Sequence, residues 1–163
     1  RQQSLQKYTD YALEGRDFSL ANFSSRHSSA SEAVGYGKAM MLFHMIRLEL
    51  GDELFIKALR EFYEENRFKR ASFADLRLSF EKAVNRPIGN LFSQWVNRVG
   101  APALQLAEVN SKKQDDGSQL DFELRQIQAD TAYHLRIPVA ITLEGNEQTH
   151  QTILRMSKKQ QHY

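Results

Sequence analysis

The hydrophobic period of this chain changes once, near Gly100, and that change limits the fold more than any other feature of the sequence. Ahead of Gly100 apolar residues recur at three- and four-residue spacing, and beyond it they alternate with polar ones. A helix brings every third or fourth side chain to one face, whereas a strand sends successive side chains to opposite faces. Neither pattern serves the other element. The chain is therefore expected to be α+β in two parts, bundle-like helices over 1–101 and an antiparallel, partial β-sandwich over 102–163.

In the helical part, Leu5, Tyr8 and Ala12 mark a first helix that Gly15 stops. Arg16 to Ala33 is irregular and serine-rich, and Ser24, Ser25, Ser28, Ser29 and Ser31 are expected in a solvated loop. From about Gly35 to Leu50 the residues Met40, Met41, Phe43, Ile46 and Leu50 make a helix apolar on most sides, as a buried central helix is. Gly51 ends it and Asp52 starts the next, with Leu54, Phe55, Ala58, Leu59 and Phe62 facing inward. Glu53 with Lys57 and Arg60 with Glu64 are i, i+4 pairs, each worth ~0.2–0.5 kcal/mol. Ser72-Phe73-Ala74-Asp75 reads as a capping box that opens a helix with Leu76, Phe80, Ala83 and Val84 inward. Pro87 suits a first helical turn, leading into Ile88, Leu91, Phe92, Trp95 and Val96, before Gly100 and Pro102 end the last helix.

Beyond Ala103, one strand is expected over Leu104–Val109 and another over Gln119–Ile127, where Leu120, Phe122 and Leu124 alternate. Asp115-Asp116-Gly117-Ser118 is the expected hairpin turn between them. Leu135–Leu143 gives a third strand, placed at an edge or next to a bulge by Pro138, and Glu144 to Glu147 turns into a fourth over Gln151–Met156. The tail after it is polar.

Composition excludes several function classes. With 41% hydrophobic and 26% charged residues the chain is ordinary for a packed domain, and a net charge of +2 gives no reason to expect nucleic acid as a partner. No apolar run is long enough to span a bilayer. The absence of cysteine excludes disulfides and thiolate metal sites, and leaves cytoplasm and bacterial periplasm equally open. His27, His44, His134, His150 and His162 lie at no metal-binding spacing, and His-Glu-x-x-His does not occur. His44, on an apolar helix, is expected to be a satisfied core histidine. Gly35-Tyr36-Gly37 is too short for a phosphate loop, and no serine sits in a nucleophile elbow. What stands out is Tyr36, with Lys38 two residues on, at the mouth of the central helix. A phenol fixed by a rigid helix can hold a hydrogen-bond donor over a reacting carbonyl, although a lone tyrosine there is more often packing.

The flanking residues alter that balance. Tyr36-Gly37-Lys38-Ala39-Met40 resembles the Tyr-x-Lys-Gly-Ala segment of the aminopeptidase N family of zinc metallopeptidases, departing from it at Ala39 and Met40. The resemblance continues in register through Leu50-Gly51-Asp52-Glu53-Leu54-Phe55, Leu59-Arg60-Glu61-Phe62-Tyr63 and Ser72 to Leu76. It ends with Phe92-Ser93-Gln94-Trp95 and Gly100-Ala101-Pro102. It implies the C-terminal half of a thermolysin-like catalytic domain, followed by the start of a β-sandwich, in a parent that hydrolyses peptides. It also implies zinc in that parent, held by ligands upstream of Arg1, with Tyr36 as the catalytic residue that hydrogen-bonds the oxyanion. No metal ligand and no cofactor-binding residue is expected in the chain itself. On that reading the chain is an excised piece, inactive alone, with an uncovered apolar surface through which it self-associates. The alternative is a peptidase-like scaffold that serves binding or assembly and no longer catalyses.

Overall fold

The computed structural model describes residues 2–114, 117–144 and 149–163. The residues divide into two compact units, Arg1–Gly100 and Ala101–Tyr163. The first is helical and the second is antiparallel β, so the molecule is α+β.

In the helical unit, α1 (Gln2–Leu13) ends ahead of Gly15. A single 3-10 turn, Leu20–Asn22, follows. The next helix begins earlier than its apolar run implies. α2 (Ser29–Glu32) passes through a π-turn, Ala33–Lys38, into α3 (Ala39–Leu50), with helical backbone angles at both junctions. Its start is a capping box: the Ser28 side chain accepts from the Ser31 amide, and the Ser31 hydroxyl accepts from the Ser28 amide. The serine cluster is thus not solvated loop throughout; Ser28, Ser29 and Ser31 begin a helix.

Val34, Lys38, Leu42 and Ile46 form the buried side of this composite helix. Its other side is only partly covered, because Met41, Phe43, His44 and Met45 are half-buried and Leu48 is exposed. The helix is therefore central but not enclosed, and His44 is not a core histidine.

Gly51 separates α3 from α4 (Asp52–Asn66), which buries Phe55 and Ala58 and leaves Leu54 open. Lys57 faces Glu61 at 4.0 Å rather than Glu53. α5 (Phe73–Val84) carries the capping box read from the sequence, with Ser72 and Asp75 exchanging side-chain and backbone hydrogen bonds. The last helix is short: α6 (Gly89–Phe92) runs into a second π-turn, Ser93–Asn97. Pro87 lies just ahead of the Ile88 cap, outside the first turn. A chain of rings, Phe43–Phe55–Phe80–Phe92, with centroids 5.6 to 6.4 Å apart, links the elements of this core. Rings at such tilted and edge-on angles add to the burial of apolar area.

In the second unit, β1 (Leu104–Gln114) pairs with β2 (Gly117–Gln126), which pairs on its other edge with β5 (Gln160–His162). β3 (Leu135–Thr142) and β4 (Thr149–Met156) make a separate two-stranded sheet. Gln114 opposes Gly117, and Thr142 opposes Thr149; Asp115, Asp116 and residues 145–148, where turns are expected, lie outside the described residues. Phe122 and Leu124 of β2 pack with Met156 of β4, and Leu135, Ile137, Leu154 and Tyr163 close over them. This is two sheets sharing one apolar layer, a small sandwich. β5 is a strand that the polar tail does not announce: Phe122 and Tyr163 exchange both backbone hydrogen bonds, and their rings stack at 5.6 Å. Gln126, buried in β2, holds the loop ahead of β3 by accepting from the Tyr133 amide and donating to its carbonyl.

Candidate functional site

Tyr36 sits inside a continuous helix, in the π-turn, and not at a helix mouth. A π-turn closes hydrogen bonds over five residues and adds one to the turn, so neighbouring side chains leave the helix in directions that a regular α-helix does not offer. Two glycines allow close packing around it. A Cβ on Gly37 would lie 3.4 Å from the Ser4 carbonyl of α1. A Cβ on Gly35 would fall 2.1 Å from the ring of Phe23, a distance that no side chain tolerates. The Phe23 ring instead meets the Tyr36 ring edge to face, at 5.9 Å and 78°. Tyr36 is 59% exposed, and among the described residues its hydroxyl has no hydrogen-bond partner.

Lys38 does not share that rim. Its side chain is 5% exposed; Nζ donates to the Arg98 carbonyl at 2.9 Å and lies 3.7 Å from Asp17 Oδ2. The same carboxylate oxygen accepts from the Tyr8 hydroxyl at 2.8 Å and from the Gly100 amide at 2.5 Å. Burial holds the Lys38 ammonium below the usual lysine value, and the nearby Asp17 charge offsets only part of that. One buried pair thus ties α1, the loop at Asp17, the π-turn and the end of the helical unit together. Sequence reasoning singled out Tyr36 and Lys38 but missed Asp17 and Phe23. The available signal was modest: an acid and aromatic residues in an otherwise serine-rich stretch.

In the β unit, Glu108, Glu123 and His162 bring ligand atoms within 4.8 Å of one another. Glu108 lies in a bulge between Ala107 and Asn110 at φ 52° and stays exposed, and β5 supplies the third. Arg125 already occupies the cluster, donating to Glu108 at 2.9 Å and to Glu123 at 2.6 Å. That hydrogen bonding keeps the Glu123 carboxyl below its ordinary range and raises Arg125. A dication would have to displace a guanidinium here, so the trio does not fit a catalytic zinc, which needs neutral imidazoles or free carboxylates with an open position.

No helix among the described residues is long and apolar enough to cross a membrane. No family profile matches the chain. It is 25% identical over 117 residues to probable aminopeptidase 2 of Sulfurisphaera tokodaii, a match that covers 72% of this chain and 14% of that protein. It is 31% identical over 77 residues to aminopeptidase N of Lactococcus lactis subsp. lactis, covering 47% of this chain and 9% of that protein. Among solved structures, aminopeptidase A of Legionella pneumophila, in complex with aspartic acid, has the same fold. Its TM-score is 0.59 at 18% identity, over 96% of this chain and 18% of that one. The chain therefore spans a small part of the length of the relatives it matches. In sequence this chain is thus similar to part of the aminopeptidase N family, and it shares its fold with part of another aminopeptidase.

Proposed function

We propose that this chain serves in a zinc-dependent, aminopeptidase-type metallopeptidase, and that Tyr36 is its transition-state residue. The observation that carries this reading is the pairing of an open, unpartnered phenol with a backbone pinned on its buried side by Lys38. When a peptide carbonyl is attacked, its carbon becomes tetrahedral and its oxygen gathers negative charge. A donor fixed beforehand where that charge develops stabilises the transition state more than the ground state. Tyr36 can donate such a hydrogen bond without first breaking one of its own. Among the described residues the Glu108, Glu123 and His162 trio, held by Arg125, does not fit the zinc that the resemblance implies. Peptide is the proposed substrate class. Self-association through the partly covered side of α3 belongs to the same reading.

The test is steady-state hydrolysis of aminoacyl anilides by a zinc-containing polypeptide that includes this chain, with Tyr36→Phe beside it. Turnover is expected to fall on the order of 10²–10³-fold, with KM and melting temperature little changed. The same substitution at Tyr63, which is also exposed, is expected to leave turnover within a few-fold. Near-normal turnover in Tyr36→Phe overturns the assignment. Failure of every such polypeptide to bind zinc favours the non-catalytic scaffold instead.

A further inference from the structure

Phe23 lies in the segment between α1 and α2, thirteen residues before Tyr36, and its ring meets the Tyr36 ring edge to face at 5.9 Å. The segment carrying it is anchored at three points. Asp17 is buried against Lys38, Tyr8 and the Gly100 amide. Leu20, in the 3-10 turn, is 1% exposed. The Phe23 amide donates to the Leu20 carbonyl at 3.1 Å, which ends that turn and sends Phe23 toward the helix. There its ring occupies the space that Gly35 leaves, with Cε2, Cδ2 and Cζ all 2.1 to 2.4 Å from where a Cβ would be. Gly35 and Phe23 are thus a matched slot and filler, directly beside the phenol.

We infer that Phe23 is a positioning residue for Tyr36: its ring, seated in the Gly35 slot, fixes the angle at which the phenol leaves the π-turn. The inference rests on the proposed role of Tyr36. The physical reason is that Tyr36 is 59% exposed and its hydroxyl has no hydrogen-bond partner among the described residues. The edge-to-face contact with Phe23 is therefore a restraint on χ1 and χ2 beyond the backbone's own. Edge-to-face pairs prefer a defined geometry, so the contact restricts rotation as well as position. Catalysis is sensitive to such placement, because a misplacement near 1 Å can cost about 10²-fold.

Two measurements test it. The first needs no activity: the chain is labelled with 3-fluorotyrosine and read by fluorine NMR, with the Tyr36 resonance assigned by its loss in Tyr36→Phe. It is expected to lie apart from that of exposed Tyr63 and to move toward it in both Gly35→Ala, which evicts the ring, and Phe23→Leu, which removes it. Phe23→Leu keeps an apolar filler, so it decides the matter if Gly35→Ala does not fold. An unmoved Tyr36 resonance in Phe23→Leu overturns the contact. The second uses the zinc-containing polypeptide described above. Phe23→Leu is expected to lower kcat on the order of tenfold at unchanged KM, and to cost nothing further once Tyr36 is already phenylalanine. A loss that multiplies in the double variant, or one confined to KM, overturns the positioning role. If Tyr36→Phe itself leaves kcat intact, the catalytic reading of Tyr36 fails, while the fluorine measurement still decides whether Phe23 sets the ring.

Discussion

At the scale of single residues, Lys38 shows how a polar side chain can be both buried and necessary. Its ammonium is held by the Arg98 carbonyl and the Asp17 carboxylate, and removing one partner of such a buried pair leaves the other uncompensated. Lys38→Met is therefore expected to destabilise the helical unit by roughly 3–5 kcal/mol at neutral pH. Its pH dependence follows from linkage. Burial lowers the folded-state value beneath that of an ordinary lysine, so between the two the unfolded chain holds a proton that the folded chain has lost. Stability from this group rises with pH through that window. Denaturant titrations of wild type and Lys38→Met across the alkaline range should show the advantage of wild type growing up to about 10.5 and then levelling. A difference that shrinks over that range contradicts the burial argument. Tyr36 stands out in the sequence through the spacing of its neighbours, and the structure places it exposed in the π-turn. Two residues apart, Tyr36 and Lys38 leave any helix on nearly opposite sides, so one shared rim for both was a misreading of that spacing. The partners of Lys38, Asp17 and the Arg98 carbonyl, come from distant parts of the chain and were not legible.

At the scale of elements, local signals were read well and non-local ones poorly. The cap at Ser72 lies wholly within four residues, and the structure has it as the sequence pattern suggests. Its counterpart at Ser28 was read as loop, since serine at the third helical position lacks the longer side chain that usually completes a capping box. β5 was missed because Gln160 to His162 has no apolar alternation; it is a strand through its backbone pairing with β2. The Ser72 cap makes a separate prediction. Ser72→Ala should weaken α5 by ~1 kcal/mol, measured by thermal melting followed at a helix-sensitive wavelength. The Ser72 hydroxyl and amide both donate to the Asp75 carboxyl and hold it below the usual carboxylate range. A depressed carboxyl contributes stability above its unfolded value and loses it as pH falls through the folded one. Acid unfolding of Ser72→Ala should accordingly show less loss over that range than wild type, and equal acid limbs would show that the bond to Asp75 carries no stability.

At the scale of the whole molecule, the change of period near Gly100 anticipated two kinds of architecture, and the structure has helices before it and antiparallel strands after it. What periodicity overstated was enclosure. The run from Gly35 to Leu50 is apolar on most sides, but only the side through Val34, Leu42 and Ile46 is buried. Met41, His44, Met45 and Leu48 follow one another at helical spacing on a flank that ranges from half-buried to exposed. An apolar stripe rich in methionine is adaptable, because the unbranched thioether side chain can repack against differently shaped surfaces. Left open, such a stripe gains by being covered, and a second copy of the chain offers the same surface. The chain is expected to associate reversibly as its concentration rises, as read by sedimentation equilibrium. Leu48→Glu places a charge on the stripe at a position that is 65% exposed, so it should disperse the assembly while changing monomer stability by only about 0.5 kcal/mol or less. A wild-type chain that stays monomeric throughout removes this use of the stripe. An assembly that persists in Leu48→Glu moves the contact to another surface.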